Sequence, residues 1–520
     1  MKKKYRHKIK DKELEIEYTY IPLRYILAVL ITCAEFLLII GAILAICYYF
    51  KWFFIVTVVI QIACVIKIVS SDDNPDYKAP WLLVVLLLPI AGFTLYFLLY
   101  SRQLGRRYRK RFAEISKANY KFNDESTFCK LKEESEIAHA QAKMLCNIAD
   151  THLFANTKQQ YFASGEMAWP IILSDLKNAE KFIYLEFFII ESGKFWDSVL
   201  DILKEKAQKG VEVKLVYDDI GCMKTLPADY FYYLKKRGIQ ATPFSILKAN
   251  TNSEFNNRSH RKMIIVDGKV AYTGGINLAD EYVNEKKRFG YWKDCAIRVE
   301  GRCVWEFIEL FLIDYGMNVI RLPQRRTDYY PNAKFEEKGY LIPFGDGPTP
   351  LYERRVAMSA IQNMIDCATD YCWITTPYLI PDNDTCLSLE RAALKGVDVR
   401  IVLPGIPDKK VIFSISRSYY LRLIKAGVKI YEYTPGFIHS KIYLVDDAYA
   451  IVGTVNLDYR SLAHNFENEV WMYKTSAIQD IKTDVKQVFE DCKKIELRDV
   501  KANFLRKFFI GIVRIFAPLL

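Results

Sequence analysis

The sequence has little that would build a metal centre or a disulfide framework. Its 520 residues include 12 cysteines, but none of them forms a C-x-x-C pair and their spacing is irregular. A zinc site or a set of disulfides would normally show one pattern or the other. We therefore expect buried or free thiols in a reducing compartment, and chemistry that needs no metal. No small-residue cleavage site follows the first apolar run, which argues against a cleaved signal peptide.

The chain also has fewer acidic residues than basic ones. Lysine and arginine number 73 against 61 acidic residues, which gives a net charge of +12. Such an excess favours an anionic partner, either a nucleic acid or an anionic membrane. The apolar fraction of 51% is sufficient for a normal core, and the length predicts two to four domains.

Three apolar runs lie within the first hundred residues. They are Ile26 to Tyr49, Trp52 to Val69 and Trp81 to Tyr100. A membrane span needs about 20 apolar residues, so the first and third runs predict transmembrane helices and the second is a plausible one. We therefore predict an N-terminal membrane region over residues 1–110 with two or three transmembrane helices, followed by a juxtamembrane linker over 111–150.

The flanking charges bear on orientation. Basic residues are dense before the first run, from Lys2 to Lys10, and after the third, from Arg102 to Arg111. The positive-inside rule would place both clusters in the cytoplasm, which three full spans cannot do. Because the second cluster is larger and adjoins the main non-membrane part of the chain, we predict a multi-pass protein of the cell membrane with the domains after residue 150 in the cytoplasm. The C-terminal segment 500–520 predicts an amphipathic helix, which either lies in the lipid interface or docks on the protein's own core.

The part between the membrane region and the C-terminus reads as two related halves, 151–342 and 343–495. Each contains a helix that ends in Lys-Gly-Val before a β-branched strand, KGVEVKLVYDD (Lys209 to Asp219) and KGVDVRIVLPG (Lys395 to Gly405). Alternation of helices and strands predicts an α/β fold, with a sheet flanked by helices in each of two pseudo-symmetric domains. The Pro- and Gly-rich stretch from Pro343 to Pro350 predicts the join, and the active site is expected at the shared interface.

Histidine is scarce, with six residues in the chain, yet two of them begin a matched pattern, H-x-K-x4-D-x6-G-x-x-N. The matched positions are His260, Lys262, Asp267, Gly274 and Asn277 in the first half, and His439, Lys441, Asp446, Gly453 and Asn456 in the second. Residues two apart in a strand face the same side, so each His projects together with its Lys. The Asp-Gly or Asp-Asp pair predicts a tight turn, after which the Gly allows close backbone approach to an oxyanion. A single H-x-K would mean little, but its repetition predicts a duplicated active site. The other four histidines lie in no such frame and are expected to be structural or at the surface.

The duplicated motif resembles the hallmark of the phospholipase D superfamily, and the wider sequence is most similar to bacterial cardiolipin synthases. The segments that carry this resemblance are NPDYKAPWLLVVLLLPIAG, FNNRSHRKMIIVDG, GGINLADEY, YWKD, TTPYLIPDN, GFIHSK and GTVNLDYRSLAHNFENE. They extend over nearly the whole chain from about residue 50. Members of the family usually have two predicted spans, so the apolar run before residue 50 is a partial departure.

The resemblance implies phosphodiester exchange through a phosphohistidine, without metal or other cofactor. Lys262, Lys441, Asn277 and Asn456 would stabilise the charge on the phosphate oxygens. One neutral histidine would attack phosphorus and the other, protonated, would release the alcohol. The residues do not decide which is the nucleophile, and family analogy favours His260.

The remaining site residues are also expected from the resemblance. A carboxylate should hold each imidazole, with Asp294 of YWKD in the first half and Glu467 of NFENE in the second. Gly275 and Thr454 should line the phosphate pocket. Asp267 and Asp446 complete the motif's catalytic set, although their positions favour a role in forming turns.

A cardiolipin synthase would use two phosphatidylglycerol molecules and produce cardiolipin and glycerol, with the lipid bilayer as its partner. A hydrolytic phospholipase D, or a phosphatidylserine synthase that takes a CDP-lipid and serine, would use similar chemistry. A nuclease fits the motif and the net charge but has no need of membrane segments, so no nucleic-acid partner is expected. A non-enzymatic scaffold is disfavoured because both motifs are intact.

Overall fold

The computed structural model describes residues 2–9, 12–19, 23–49, 51–71, 73–99, 106–116, 124–246, 257–319, 329–330, 333, 335–349, 351–352, 354–500 and 504–519. The stretch 100–105, which holds the end of the third apolar run and the start of the second basic cluster, lies outside the described residues.

The N-terminal region consists of a strand hairpin followed by helices. Its elements are β1 (Lys2–Ile9), β2 (Lys12–Thr19), α1 (Leu23–Tyr49), α2 (Lys51–Ser70), α3 (Pro75–Leu87), α4 (Pro89–Leu99) and α5 (Arg106–Ser116). Among the described residues, one helix is long and apolar enough to cross a membrane, through the segment Val29–Ile46 of α1. The apolar part of α2, Ile55–Ser70, is shorter. The membrane region therefore has one clear candidate span by length and composition.

The third apolar run folds back on itself. The helix is interrupted between α3 and α4. The rings of Trp81 and Tyr96 lie 5.8 Å apart, whereas a straight helix would separate these positions by about 22 Å. A Cβ atom on Gly92 would lie 2.3 Å from the carbonyl oxygen of Val84, so only glycine permits this approach. With 13 and 11 residues, the two helices measure about 20 and 16 Å, short of the ~30 Å hydrocarbon core. Our prediction of a full span over this run is therefore wrong: it forms a helical hairpin.

The predicted juxtamembrane linker is largely helical. Beyond the end of α5 it contains α6 (Glu125–Glu134) and α7 (Glu136–Ala149). Leu131, Ala138 and Leu145 of these helices are buried in the core. The described part of residues 111–150 is thus helical and packs against the core of the following domains, and the bounds of the juxtamembrane linker stay a prediction.

The two catalytic domains supply the remaining elements. The first contains β3 (Phe154–Ala155), β4 (Lys158–Phe162), α8 (Gly165–Lys177), β5 (Phe182–Phe187), α9 (Lys194–Gln208), β6 (Glu212–Asp218), α10 (Tyr230–Lys235), β7 (Ile239–Phe244), β8 (Met263–Val266), β9 (Val270–Gly274), β10 (Tyr291–Lys293), β11 (Ala296–Glu300) and α11 (Val304–Asn318). The second contains β12 (Tyr340–Asp346), α12 (Val356–Cys367), β13 (Tyr371–Thr375), β14 (Leu379–Ile380), α13 (Asn383–Leu394), β15 (Asp398–Pro404), α14 (Lys410–Lys425), β16 (Lys429–Tyr433), β17 (Gly436–Ile438), β18 (Ile442–Val445), β19 (Tyr449–Gly453), β20 (Leu457–Asp458), α15 (Tyr459–Ala463), β21 (Glu467–Tyr473), α16 (Ala477–Glu490) and β22 (Cys492–Ile495).

The predicted duplication is confirmed by the sheet topology. The first sheet has the strand order β4-β11-β9-β8-β5-β6-β7, and the second has β22-β16-β15-β13-β18-β19-β21-β12-β3. The core order β11-β9-β8-β5-β6-β7 is matched strand for strand by β21-β19-β18-β13-β15-β16. In both sheets the strand that follows the motif histidine and lysine, β8 or β18, lies at the centre.

The repeated Lys-Gly-Val segments have a local explanation. Gly210 and Gly396 have φ values of +88° and +97°, the left-handed conformation with which glycine ends a helix. Each glycine stops α9 or α13 and turns the chain into β6 or β15. These strands are buried because helices cover the faces of each sheet, as is usual for parallel strands.

The predicted domain boundary falls within a strand. The residues from Pro343 to Asp346 belong to β12, which is buried and pairs with β21 in antiparallel fashion. The division at 342/343 is therefore wrong by a few residues, because this Pro- and Gly-containing stretch is a strand of the second sheet. In addition, β3 from the start of the first domain joins the second sheet beside β12.

The C-terminal segment forms the predicted helix, α17 (Phe504–Ile515). Phe508, Ile512 and Ile515 are exposed, while the guanidinium of Arg514 lies 4.0 Å from the centre of the Tyr419 ring on α14. The helix is therefore docked along one side and presents apolar side chains on the other.

Candidate active site

Each motif histidine lies just before the central strand of its sheet, where the chain meets the other half of the molecule. The backbone N–H of His260 donates to the carbonyl of Phe466 at 2.8 Å, and that of His439 donates to the carbonyl of Lys293 at 2.7 Å. Just before His439, β17 pairs in parallel with β10. The backbones of the two halves are thus hydrogen-bonded to each other at the site.

This backbone pairing places the carboxylate of each half beside the histidine of the other half, which we call crossed pairing. Nδ1 of His260 lies 2.8 Å from Oε2 of Glu467, and Nδ1 of His439 lies 2.8 Å from Oδ2 of Asp294. An ionised carboxylate can only accept, so Nδ1 carries the hydrogen and Nε2 keeps the lone pair. Our expectation that Asp294 holds His260 and Glu467 holds His439 is wrong, because each carboxylate follows the backbone partner of the opposite histidine.

Gly275 and Thr454 occupy matched positions and both contact the carboxylates. The hydroxyl of Thr454 donates to Oε2 of Glu467 at 2.6 Å. A Cβ atom on Gly275 would lie 1.9 Å from Oδ1 of Asp294, so the glycine makes room for that carboxylate. Their described contacts orient the histidine partners, and a place in the phosphate pocket stays a prediction.

The two motif lysines are buried beside the histidines. Nζ of Lys262 donates to the carbonyl of His260 at 2.7 Å, and Nζ of Lys441 donates to that of His439. Burial lowers the pKa of Lys262 to about 7, and repulsion from Lys441 acts in the same direction. Burial likewise lowers the pKa of Lys441 to about 8. Two buried cations that repel each other form a site that an anion would stabilise.

Both imidazoles are neutral near neutral pH. Burial lowers the pKa of His260 to about 4; Glu467 opposes this shift and Lys262 adds to it. Burial and Lys441 lower the pKa of His439 to about 3. A neutral imidazole whose Nδ1–H is held by a carboxylate has a nucleophilic Nε2.

The motif asparagines differ in their surroundings. Oδ1 of Asn277 accepts from the backbone N–H of Ile189 at 2.9 Å, which leaves the amide N–H groups as donors. Oδ1 of Asn456 is buried and has no hydrogen-bond partner among the described residues. The unsatisfied atom is an acceptor, so only the amide N–H groups of the asparagines could donate to an anion, and their place in the phosphate pocket stays a prediction.

The motif aspartates lie at the far ends of their strands from the histidines. The carboxylate of Asp267 accepts backbone N–H bonds from Glu180, Lys181 and Phe182 at 2.7–2.9 Å. That of Asp446 does the same for residues 369–371. Both residues have positive φ, +54° and +52°, as the predicted turns require. Their described contacts join the starts of β5 and β13 to the turns, as their predicted role in forming turns requires, and a part in catalysis stays a prediction.

One residue of the site was missed by sequence reasoning. Arg261 occupies the variable position between His260 and Lys262 and has no exposed surface. Its Nε donates to the carbonyl of Glu467 at 3.0 Å, and its Nη1 donates to Asp314 on α11 at 2.7 Å. Serine stands at the matched position of the second motif, so no pattern in the sequence pointed to this arginine.

No group of three or more His, Cys, Asp or Glu residues in the described ranges is arranged to hold a metal ion. The cationic groups described near the histidines are the side chains of Lys262, Lys441 and Arg261.

Comparison with known proteins identifies the family. Residues 172–288 and 361–490 match the family described as "Cardiolipin synthase, PLD-like domain", and residues 59–99 match "Phospholipase D-nuclease N-terminal". A cardiolipin synthase from Halalkalibacterium halodurans is 33% identical, over 81% of this chain and 84% of its own. The chain belongs to the cardiolipin synthase family.

Two further likenesses accompany this assignment. An uncharacterized protein from Streptococcus mutans is 40% identical, over 88% of this chain and all of its own length. The crystal structure of phosphatidylserine synthase from Haemophilus influenzae Rd KW20 superposes with a TM-score of 0.56 at 16% identity, covering 73% of this chain and 98% of that one. At that identity the superposition shows the shared fold alone. As a member of the cardiolipin synthase family, the chain is a membrane-associated phosphatidyltransferase.

Proposed function

We propose that the protein transfers a phosphatidyl group from one phosphatidylglycerol to another, giving cardiolipin and glycerol, without a metal. The observation that carries the proposal is the crossed pair of buried histidine–carboxylate dyads, each 2.8 Å long, flanked by two buried lysines. This arrangement offers two imidazole Nε2 atoms and two cations to one phosphodiester.

In the first half-reaction, Nε2 of His260 attacks phosphorus. The bond between phosphorus and the glycerol oxygen breaks as the new P–N bond forms, and protonated His439 gives its proton to that oxygen. The negative phosphodiester opposes the repulsion from Lys262 and Lys441, and so favours the protonated form of His439 that this step needs. The products are glycerol and a phosphatidyl-histidine.

In the second half-reaction, His439 takes the proton from the primary hydroxyl of a second phosphatidylglycerol. That oxygen attacks phosphorus, the P–N bond breaks, and neutral His260 is regenerated with cardiolipin as product. The lysines, together with the amides of Asn277 and Asn456, stabilise the equatorial oxygens in both steps. Glu467 and Asp294 stabilise the imidazole to which each is bonded.

The same proposal includes the membrane topology. If α1 and α2 both cross while the α3–α4 hairpin enters and leaves on one side, the two basic clusters lie on the same side of the membrane. This satisfies the positive-inside rule, which three full spans cannot do. We therefore place the catalytic domains in the cytoplasm of a multi-pass protein. Labelling of single cysteines at the N-terminus and in α5 should show both to be accessible from the cytoplasm alone; access to either one from the outside would refute this topology.

The activity is tested by supplying phosphatidylglycerol in mixed micelles to the wild type and to His260→Ala and His439→Ala variants. The expected products are cardiolipin and glycerol in equal amounts, insensitive to EDTA, and absent with either variant. Phosphatidic acid as the main product would replace the transferase with a hydrolase. Product formed only from a CDP-lipid and serine would indicate a phosphatidylserine synthase.

A further inference from the structure

The N-terminal end of α3 is bonded to the second catalytic domain. Oδ2 of Asp76 accepts from the hydroxyl of Tyr459 at 2.7 Å and from the backbone N–H of Asn383 at 2.8 Å. Two residues earlier, Nδ2 of Asn74 donates to Oδ2 of Asp382 at 2.8 Å. The α3–α4 hairpin is thus attached to the second catalytic domain by side-chain hydrogen bonds as well as by the covalent chain.

A buried aromatic contact completes this junction. Tyr77 is 1% exposed, and its ring meets those of Tyr459 and His464 edge-on, with centroids 5.4 and 5.7 Å apart. We call Asn74, Asp76 and Tyr77 the latch. The C-terminal turn that follows α17 reaches the same place, since Nε2–H of His464 donates to the carbonyl of Pro518 at 3.4 Å.

The latch contacts the segment that joins two site residues. Tyr459 begins α15, which lies between Asn456 and Glu467 in the chain. Three residues of chain extend at most about 11 Å, so the Cα atom of Tyr459, whose side chain contacts the latch, lies within about that distance of the Cα atom of Asn456. The opposite end of the hairpin is apolar and exposed: Leu86, Leu87 and Leu88 at its turn are 58%, 68% and 49% exposed.

These positions fix a depth. A hairpin inserted with its leucine turn toward the bilayer centre leaves the polar latch at the level of the lipid headgroups, since α3 is about 20 Å long. The headgroup layer of each leaflet is about 5–8 Å thick. Tyr459, which begins the segment between Asn456 and Glu467, then lies close to the layer that contains the phosphodiester of a bilayer lipid. The exposed apolar side chains of α17, which is attached at the same junction, would lie in that interface.

We propose that the latch sets the depth and orientation of the catalytic cleft at the bilayer surface, so that the phosphodiester of a membrane lipid reaches the histidines without leaving its leaflet. The inference rests on the proposed lipid substrate. It makes Asp76, Asn74 and Tyr77 positioning residues, which touch no reacting atom. Their loss should impair reaction with lipids held in a bilayer while sparing reaction with lipids free in water.

The test compares two forms of one substrate on the full-length protein in phosphatidylcholine vesicles. Long-chain phosphatidylglycerol is included in the bilayer, or short-chain phosphatidylglycerol is added below its micellar concentration. Asp76→Ala should lower the rate on the bilayer substrate by at least about tenfold, since even one hydrogen bond to a charged group contributes about 1.5–3 kcal/mol, and leave the rate on the soluble substrate unchanged. Tyr459→Phe, a milder change that keeps the ring, should act in the same direction and add nothing to Asp76→Ala.

Asp73→Ala is the matched control, because this acid lies three positions away and accepts a hydrogen bond from Ser71 on its own segment. It should match the wild type on both substrates. Equal loss on both substrates with the Asp76 variant, or no loss on either, would overturn the proposal. Failure of the wild type to make cardiolipin from either substrate would instead refute the proposed function, and it would be evident before any variant is compared.

Discussion

Replacing Asp294 by Asn should impair the enzyme through His439, the histidine of the opposite half. The hydrogen bond that the substitution alters joins Nδ1 of His439 to Oδ2 of Asp294 over 2.8 Å, and the carboxylate is fully buried. Glu467→Gln should impair His260 for the same reason. Each carboxylate variant is therefore expected to share the defect of the histidine it contacts.

The magnitude follows from the bond that is lost. A hydrogen bond to a charged group contributes about 1.5–3 kcal/mol, which corresponds to about 10- to 150-fold in rate. An amide can also donate to Nδ1 and so favour the wrong tautomer, a change that costs about 10⁴-fold in a Ser-His-Asp triad. We expect both variants to lose between about 10²- and 10⁴-fold in kcat on phosphatidylglycerol.

The assay that separates the two dyads replaces glycerol by p-nitrophenol in the donor lipid. This leaving group departs without a proton, so formation of the phosphatidyl-enzyme no longer needs the general acid. If His260 is the nucleophile, His439→Ala and Asp294→Asn should both recover a burst of p-nitrophenol, while His260→Ala and Glu467→Gln should not. An exposed-acid variant, Asp201→Asn, provides the control for protein quality.

The comparison does not depend on which histidine attacks. If the roles of the histidines are reversed, the burst should return with His260→Ala and Glu467→Gln instead. Crossed pairing would be refuted if Asp294→Asn followed His260→Ala, since that result requires the carboxylate to serve the histidine of its own half.

Three further predictions concern charge and stability. The pKa of Lys262 is lowered to about 7 and that of Lys441 to about 8, so inhibition by sulfate should weaken as the pH rises through this range and the lysines lose their charge. Lys262→Arg should remove the part of this pH dependence near pH 7. Sulfate inhibition that does not vary from pH 6 to about 9 would contradict this. Asp267→Ala should lower the unfolding free energy by about 1–3 kcal/mol, because it leaves backbone N–H groups unpaired, while kcat per folded molecule is unchanged. A normal midpoint of thermal unfolding together with lost activity would instead indicate a catalytic role for Asp267. Arg261→Met should destabilise the protein by about 3–5 kcal/mol because it leaves Asp314 buried without its cation, measured by thermal unfolding against Arg302→Met at a more exposed position.

Much of the fold could be predicted from periodicity and repetition. The matched motifs predicted equivalent positions for His260 and His439, which directly precede the central strands β8 and β18, and the sheet topology confirms the duplicated α/β architecture. The Asp-Gly and Asp-Asp pairs predicted the turns after those strands, and positive φ at Asp267 and Asp446 is the feature that such turns require. These properties are local, so the identities of a few consecutive residues are enough to determine them.

The third apolar run shows where composition was insufficient. Its length and hydrophobicity suit a membrane span, but Pro89 interrupts the helix and Gly92 permits the close approach of the two arms. Hydropathy counts apolar residues and does not register whether they form one helix or two antiparallel ones. The contacts between this hairpin and α15 join residues more than 300 positions apart, and no sequence spacing records them.

The sequence by itself determined the candidate residues for the chemistry: two histidines, two lysines and two carboxylates in the two halves. Only the tertiary structure decided how they are paired. In each half the histidine and the carboxylate lie close in sequence, which suggested partners within a half, but β10 and β17 bring the halves together so that each carboxylate reaches the other histidine. The physical reason is that a strand fixes the direction of its side chains locally, whereas the partner that meets them depends on which distant backbone hydrogen-bonds to that strand.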